Sequence, residues 1–175
     1  LAVLEEHVAR TGSTTAAGIL ASRDLSRFTK LVPEAFARML AAPDRFRVFV
    51  AQVGGELVGY VLTIVGRDAL PRDMVRPGRV AADSAYLSKC YVDQAWRGSG
   101  IADALVERAC ADSVSLGHSA IVLGTNRANR VARAFYKRHG FRKRATRRFN
   151  VGGIDNDDVV MVRDLTAADG SPLAR

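Results

Sequence analysis

Hydrophobic alternation is clearest in the middle of the chain. From Arg45 to Val53 and again from Glu56 to Val65, β-branched and aromatic residues flank Gly54-Gly55. That pattern predicts a β-hairpin, because two glycines accept the positive φ of a tight turn. Tyr86 to Val92 has the same β character. The period changes at Arg97-Gly98-Ser99-Gly100-Ile101-Ala102, beyond which Ile101, Leu105, Ala109 and Leu116 recur at helical spacing. A strand therefore hands over to a helix that packs one face on a sheet and stops at Gly117. Ala120 to Leu123 reads as a short buried strand, and Asn126 or Asn129 caps a helix running to about His139 and ending at Gly140. Ala145 to Val151 and Val159 to Arg163 are the last strands, joined by Gly152 to Asp158, and residues after Leu165 read as a frayed tail.

The start of the chain is patterned less clearly. Leu1 to Ala9 and Thr14 to Ala21 carry weak helical periodicity on either side of Gly12-Ser13, and no first strand stands out. Pro33 to Ala41 predicts a helix, with Pro33 at its first turn, Phe36, Met39 and Leu40 on one face, and Pro43 closing it. Gly66 to Ser84, with Pro71, Pro77 and Gly78, reads as a long polar loop, either a lid or an untethered surface segment.

A length of 175 residues suits one domain over 1–165 with a tail at 166–175, and 48% hydrophobic residues are enough for a real core. No run reaches the length of a membrane span and the N-terminus lacks a signal-peptide pattern, so the expected location is cytoplasmic. Cys90 and Cys110 read as small buried thiols in a reducing compartment, and the three histidines are too scattered for a metal site. The net charge of +8 is concentrated: Arg127 to Arg148 holds ten Lys/Arg and no carboxylate. A nucleic-acid surface is one reading of that run. Phe135, Tyr136, Gly140 and Phe141 interleave with it in a helix-then-strand pattern, which favours a solvated face or basic residues that attract the nucleotide of an anionic cofactor.

The strand-to-helix junction carries the candidate chemistry. The first N–H groups of a helix lack partners and sit at the positive end of its dipole, so a phosphate docks there if no side chain obstructs it. Gly98 and Gly100 remove side chains, while Ser99 and Ala102 are small. The stretch is thus a diphosphate cradle or an ordinary glycine-containing turn. It is not a P-loop, since Ile101-Ala102 stand where lysine and a magnesium ligand belong. A dinucleotide fingerprint would need a small residue at Asp103 and an acid ending the next strand, where Gly124-Thr125 stand.

Residues 97–102 resemble the Q/R-x-x-G-x-G/A signature of the GNAT family, the GCN5-related N-acetyltransferases. Asn129-Arg130-Val131-Ala132-Arg133-Ala134-Phe135-Tyr136-Lys137-Arg138-His139-Gly140-Phe141 resembles the same family's N-x-x-A-x-x-F-Y-x-x-x-G-F segment. The resemblance implies an α/β (α+β) fold: a mixed, mostly antiparallel sheet of about 6–7 strands, flanked by helices and splayed between the fourth and fifth. It implies acetyl-CoA as co-substrate, its diphosphate held by main-chain amides of Gly98, Ser99, Gly100, Ile101, Ala102 and Asp103. Backbone groups of Cys90, Tyr91 and Val92 would pair with pantetheine like another strand, one N–H stabilising the oxyanion. Asn129 would fix the pantetheine arm and Tyr136 protonate the departing thiolate. The seven-residue spacing, about two helical turns, makes those two roles geometrically compatible. Tyr136 as a plain core aromatic is the competing reading.

Relatives often carry a glutamate where this chain has Ser88 or Gly124, which leaves the general base unassigned among Asp83, Tyr86, Asp157 and Asp158. Leu87-Ser88-Lys89, Leu123-Gly124, Phe149-x-Val151-Gly152 and Asp157-Asp158-x-Val160-Met161 resemble the PaiA-type branch, whose characterised members acetylate spermidine and spermine. Asp155, Asp157 and Asp158 would then attract a polyamine, or form only a polar turn. The expected partners are a small-molecule amine and acetyl-CoA, with no membrane; a homodimer is compatible with the sequence. The alternatives are a protein N-terminal or lysine acetyltransferase and a basic nucleic-acid-binding module, the latter disfavoured.

Overall fold

The computed structural model describes residues 8–10, 38–74, 80–151 and 154–166. Among these, the strands are β1 (Val8–Arg10), β2 (Phe46–Val53), β3 (Glu56–Ile64), β4 (Ala85–Val92), β5 (Ala120–Asn126), β6 (Arg142–Val151) and β7 (Ile154–Asp164). The helices are α1 (Ile101–Ser115) and α2 (Arg130–Arg138). Hydrogen bonding orders the strands β1-β2-β3-β4-β5-β7-β6. The registers of β1–β2, β2–β3, β5–β7 and β6–β7 are antiparallel and that of β4–β5 is parallel, so the mixed, mostly antiparallel sheet expected above is present. The parallel ladder pairs Ala85↔Ile121 and Tyr86↔Val122.

Chain contacts divide into two compact units, one built from residues up to Ile64 with Ser88–Ala109, the other from Val65–Leu87 with Cys110 onward. In the first unit the β2–β3 hairpin turns at Gly54 (φ 59°) and Gly55 (φ 82°), values that a side chain at either position would strain. Val48, Val50, Leu57, Tyr60 and Leu62 form a buried cluster on this hairpin, joined by Met39, Leu40 and Tyr91. Helix α1 buries Ile101, Leu105, Val106 and Ala109, and the Arg108 guanidinium lies 5.1 Å from the Phe49 ring centroid. Leu116, expected on the packing face, is 45% exposed because the helix ends at Ser115 and Gly117 turns the chain at φ 82°.

Two expectations for the N-terminal region change. Val8–Arg10 is a strand, not helix: it pairs Val8↔Ala51, Ala9↔Val50 and Arg10↔Phe49, so the β2 edge supplies its backbone partners. The Thr14 to Ala21 helix and the start of the Pro33 helix lie outside the described residues; Arg38–Leu40 is helical.

In the second unit Leu70, Met74, Ala120, Val122, Val160 and Val162 form one buried cluster. Residues 66–74 are therefore neither lid nor untethered loop: Ala69, Leu70 and Met74 are buried, and Asp73 is tied to Arg147 at 3.0 Å. Residues 75–79 of that stretch lie outside the described residues. Strand β7 starts at Ile154, well before Val159, and β6 at Arg142 rather than Ala145. The acidic run belongs to β7 because β6 presents arginines opposite it, in the register Arg147↔Asp158 and Arg148↔Asp157.

Candidate functional site

The glycine-rich corner lies in the first unit. Asp93 N–H donates to Val58 O at 2.8 Å, tying the end of β4 to β3. The Asp93 carboxylate accepts from Ala95 N–H at 2.8 Å and caps the 3-10 turn Gln94–Trp96. Ser99 Oγ then donates to Trp96 O at 2.6 Å, which draws the serine hydroxyl back onto the preceding turn. Gly98 (φ 80°) and Gly100 (φ 88°) take left-handed conformations that only glycine adopts readily. A Cβ built on Gly98 would meet nothing within 4 Å, so the space beside this backbone is open. Within α1, Ala104 N–H bonds back to Gly100 O at 3.0 Å. The first turn of a helix is where amides turn toward caps and ligands. An anion fits such a backbone, which Gly98 leaves open to solvent.

Strand β4 leads into this corner. Beyond the two-residue ladder at Ala85 and Tyr86, the strand runs on through Ser88 to Val92, carrying Cys90, Tyr91 and Val92. Tyr91 stacks on Tyr60 with ring centroids 6.3 Å apart. Burial, helped by the Asp103 carboxylate, pushes the Cys90 thiol up to about 12. Burial pushes Tyr60 to about 12 as well, with Cys90 and Tyr91 adding to the effect. Cys90 is thus a neutral thiol at neutral pH, offering its main chain rather than a nucleophile. At pH 8, labelling of Cys90 by an aromatic disulfide reagent should run about a hundredfold slower than that of free cysteine, whose pKa is near ~8.5. Rapid labelling of this position under native conditions would contradict the burial.

Gly59 is a residue that the sequence reading did not single out. A Cβ there would lie 2.8 Å from Tyr91 O, 3.2 Å from Val92 Cγ2 and 3.3 Å from Leu105 Cδ1. The strand carrying it thus approaches β4 and α1 more closely than any side chain allows. A lone glycine inside a strand pattern is the available signal for such an approach.

Asn129 and Tyr136 lie in the second unit. Asn129 caps α2, its Oδ1 accepting from Ala132 N–H at 3.0 Å, while Asn126 Oδ1 accepts from Ala128 N–H at 2.9 Å in the preceding turn. Of the two asparagines, Asn129 is therefore the cap, and its amide NH2 is the part left for a ligand. Tyr136 is half-buried, with its ring edge-on to Phe135 (5.2 Å) and to the wholly buried Phe141 (5.5 Å). His139 ends the helix, its ring 4.6 Å from that of Phe135.

The residues considered for a general base are all engaged. Asp83 accepts from Ser119 Oγ at 2.8 Å and from Ser119 N–H at 3.3 Å. Asp157 pairs with Arg148 at 3.0 Å and Asp158 with Arg147 at 3.1 Å. Burial raises Tyr86 above the ordinary phenol value despite the nearby Arg147, so it stays protonated at neutral pH. The acidic run does not form one surface either. Neighbouring positions of a strand point to opposite faces, and Asp157 is half-exposed whereas Asp158 is buried against Arg147. Among the described residues, no group of three or more His, Cys, Asp and Glu is placed to hold a metal. No helix of the described residues is long and apolar enough to cross a membrane.

Residues 19–141 match the family model described as the acetyltransferase (GNAT) family. An uncharacterized N-acetyltransferase of Mycobacterium tuberculosis (strain ATCC 25618 / H37Rv) is 35% identical over 130 residues, 74% of this chain and 74% of the relative. The fold is similar to that of the ribosomal-protein-alanine N-acetyltransferase from Brucella melitensis, with a TM-score of 0.68 and 21% identity, covering 90% of this chain and 99% of that one. It is also similar to an acetyltransferase of the same family from Elizabethkingia anophelis with acetyl-CoA bound, with a TM-score of 0.61 and 13% identity over 90% of this chain and 97% of that one.

Proposed function

This chain belongs to the GNAT family of N-acetyltransferases, and from that premise we propose that it moves the acetyl group of acetyl-CoA directly to the primary amine of a small molecule. Acetyl-CoA supplies the activated acyl group as a thioester. The observation that carries the reading is the corner at Gly98 and Gly100, with left-handed glycines and open space beside Gly98, at the start of α1. There the amides from Gly98 to Asp103 bind the diphosphate. The main chain of Cys90, Tyr91 and Val92 aligns pantetheine and offers an N–H to the carbonyl oxygen, while the Asn129 amide holds the pantetheine arm. The amine nitrogen bonds to the acyl carbon as the carbon–sulfur bond breaks. The Tyr136 hydroxyl gives its proton to sulfur, the nitrogen sheds one to solvent, and the phenolate regains a proton from solvent. Because each residue considered for the base is engaged, the amine enters neutral.

A small amine, with polyamines among the candidates, follows from the PaiA-type resemblance. The reading does not rest on Asp155, Asp157 and Asp158, since the last two are already paired with arginines. The test is a thiol-release assay over spermidine, aromatic amines, and peptides offering an N-terminal alanine or a lysine. Release with a small amine is expected; release with peptides alone would move the reading to a protein acetyltransferase. Gly98→Val should raise the KM for acetyl-CoA about tenfold, roughly 1.4 kcal/mol of lost binding, while kcat holds. An unchanged KM would remove the diphosphate from this corner.

A further inference from the structure

The positive run between Arg127 and Arg148 resolves into two sets of side chains. Arg144, Arg147 and Arg148 are neutralised by Asp164, by Asp73 with Asp158, and by Asp157. Arg138 lies over the Phe135 ring, 5.8 Å from its centroid. Five of the remaining cations, Arg130, Arg133 and Lys137 from α2 with Arg142 and Lys143 from β6, line a single cleft of about 540 Å³. Ala134 of α2 and the buried Val159 and Met161 of β7 give it an apolar part, and no carboxylate of the described residues lines it. At 100° per residue, Arg130 and Lys137 fall roughly 80–120° around α2 from Asn129 and Tyr136, with Arg133 between the two sets, so the cleft borders the helix face assigned to the thioester without coinciding with it.

We propose that this cleft binds a small polyphosphate anion of the nucleoside triphosphate class. Five cations around one concavity create a potential that a single carboxylate or phosphate would leave mostly uncompensated, whereas a triphosphate carries a charge of about four. Arg130 and Arg142 offer planar forks suited to phosphate oxygens, and Arg133, one of whose terminal nitrogens donates to Arg127 O at 2.9 Å, keeps its other donors. The volume falls in the range of small-molecule sites, roughly 300–1,000 Å³, and the apolar part suits a base or sugar. Single-stranded nucleic acid fits less well, because sequence-tolerant binding of a strand uses aromatic platforms and, among the described residues, no aromatic one lines the cleft.

The experiment is a calorimetric titration of magnesium-free ATP into the protein already saturated with CoA. One ATP per chain should bind. Lys137→Glu with Lys143→Glu should weaken it by about tenfold or more, and Lys137→Gln with Lys143→Gln by a smaller factor. Both pairs lie on exposed positions, and each variant should hold CoA as the parent does. Arg72→Glu, an exposed reversal outside the cleft, should change nothing. ATP failing to bind the CoA-saturated chain would overturn the proposal. So would variants that weaken CoA as much as ATP, since the cleft would then belong to the CoA site. A single-stranded RNA dodecamer that binds more tightly than ATP and loses affinity in the same variants would make the cleft a nucleic-acid surface instead. Should CoA itself not bind, the proposed function fails on that result, while ATP titrated into the CoA-free chain and its variants at Lys137 and Lys143 still decides this proposal, so the two readings fail separately.

Discussion

Tyr136→Phe should lower kcat about a hundredfold with little change in the KM for acetyl-CoA and little change in Tm. General acid catalysis is worth roughly 10²–10⁴ in rate. The lower end applies because a thiolate of pKa near ~8.5 departs tolerably even without a proton. Stability should largely hold because the substitution keeps the ring that packs edge-on against Phe135 and Phe141. The separation of the two effects is what identifies a proton donor. A purely structural Tyr136 would show a lowered Tm or no effect on turnover. Steady-state kinetics and a thermal melt of the same preparation check both, and an unchanged kcat would remove Tyr136 from the chemistry.

Gly59→Ala should destabilise the protein by about 2–3 kcal/mol, the upper part of the range for forcing an extra methyl group into a packed core. One contact decides the magnitude: the new Cβ would lie 2.8 Å from Tyr91 O, a backbone atom that cannot swing aside like a side-chain end. The expected fall in Tm is roughly 5–10 °C for a chain of this size. Relief requires β4 to move near Tyr91 and Val92, the segment proposed to align pantetheine, so the KM for acetyl-CoA should rise as well. A melt and a KM measurement test the pair of effects together. An unchanged Tm would mean that β3 and β4 are packed less closely than described.

The parts of this molecule that were legible in its letters are those whose cause is local. Gly54-Gly55 announces its hairpin because few residues accept two positive φ values in succession. Gly98 and Gly100 mark the corner for the same reason, and Asn129 marks the start of α2 because its side chain satisfies a helix-end amide three residues away. The two family-like segments lie on such local features, so the nature of the catalyst could be read before any contact was known.

What only the tertiary structure decided depends on residues distant in sequence. Val8–Arg10 is too short to show a period and is a strand because β2 offers it an edge. Ile154 to Asp158 looks like a polar turn, yet it is strand because arginines of β6 stand opposite its carboxylates; the same pairing removes the acidic surface expected to draw a polyamine. The stretch from Gly66 to Met74 reads as loop, but Leu70 and Met74 find a core made by β5 and β7. Arg130, Arg133, Lys137, Arg142 and Lys143 meet at one cleft only because α2 and the start of β6 fold against β7. Local sequence determines backbone turns and caps through short-range sterics and hydrogen bonds. Which charges are neutralised and which remain exposed is decided by the partners that folding brings alongside them.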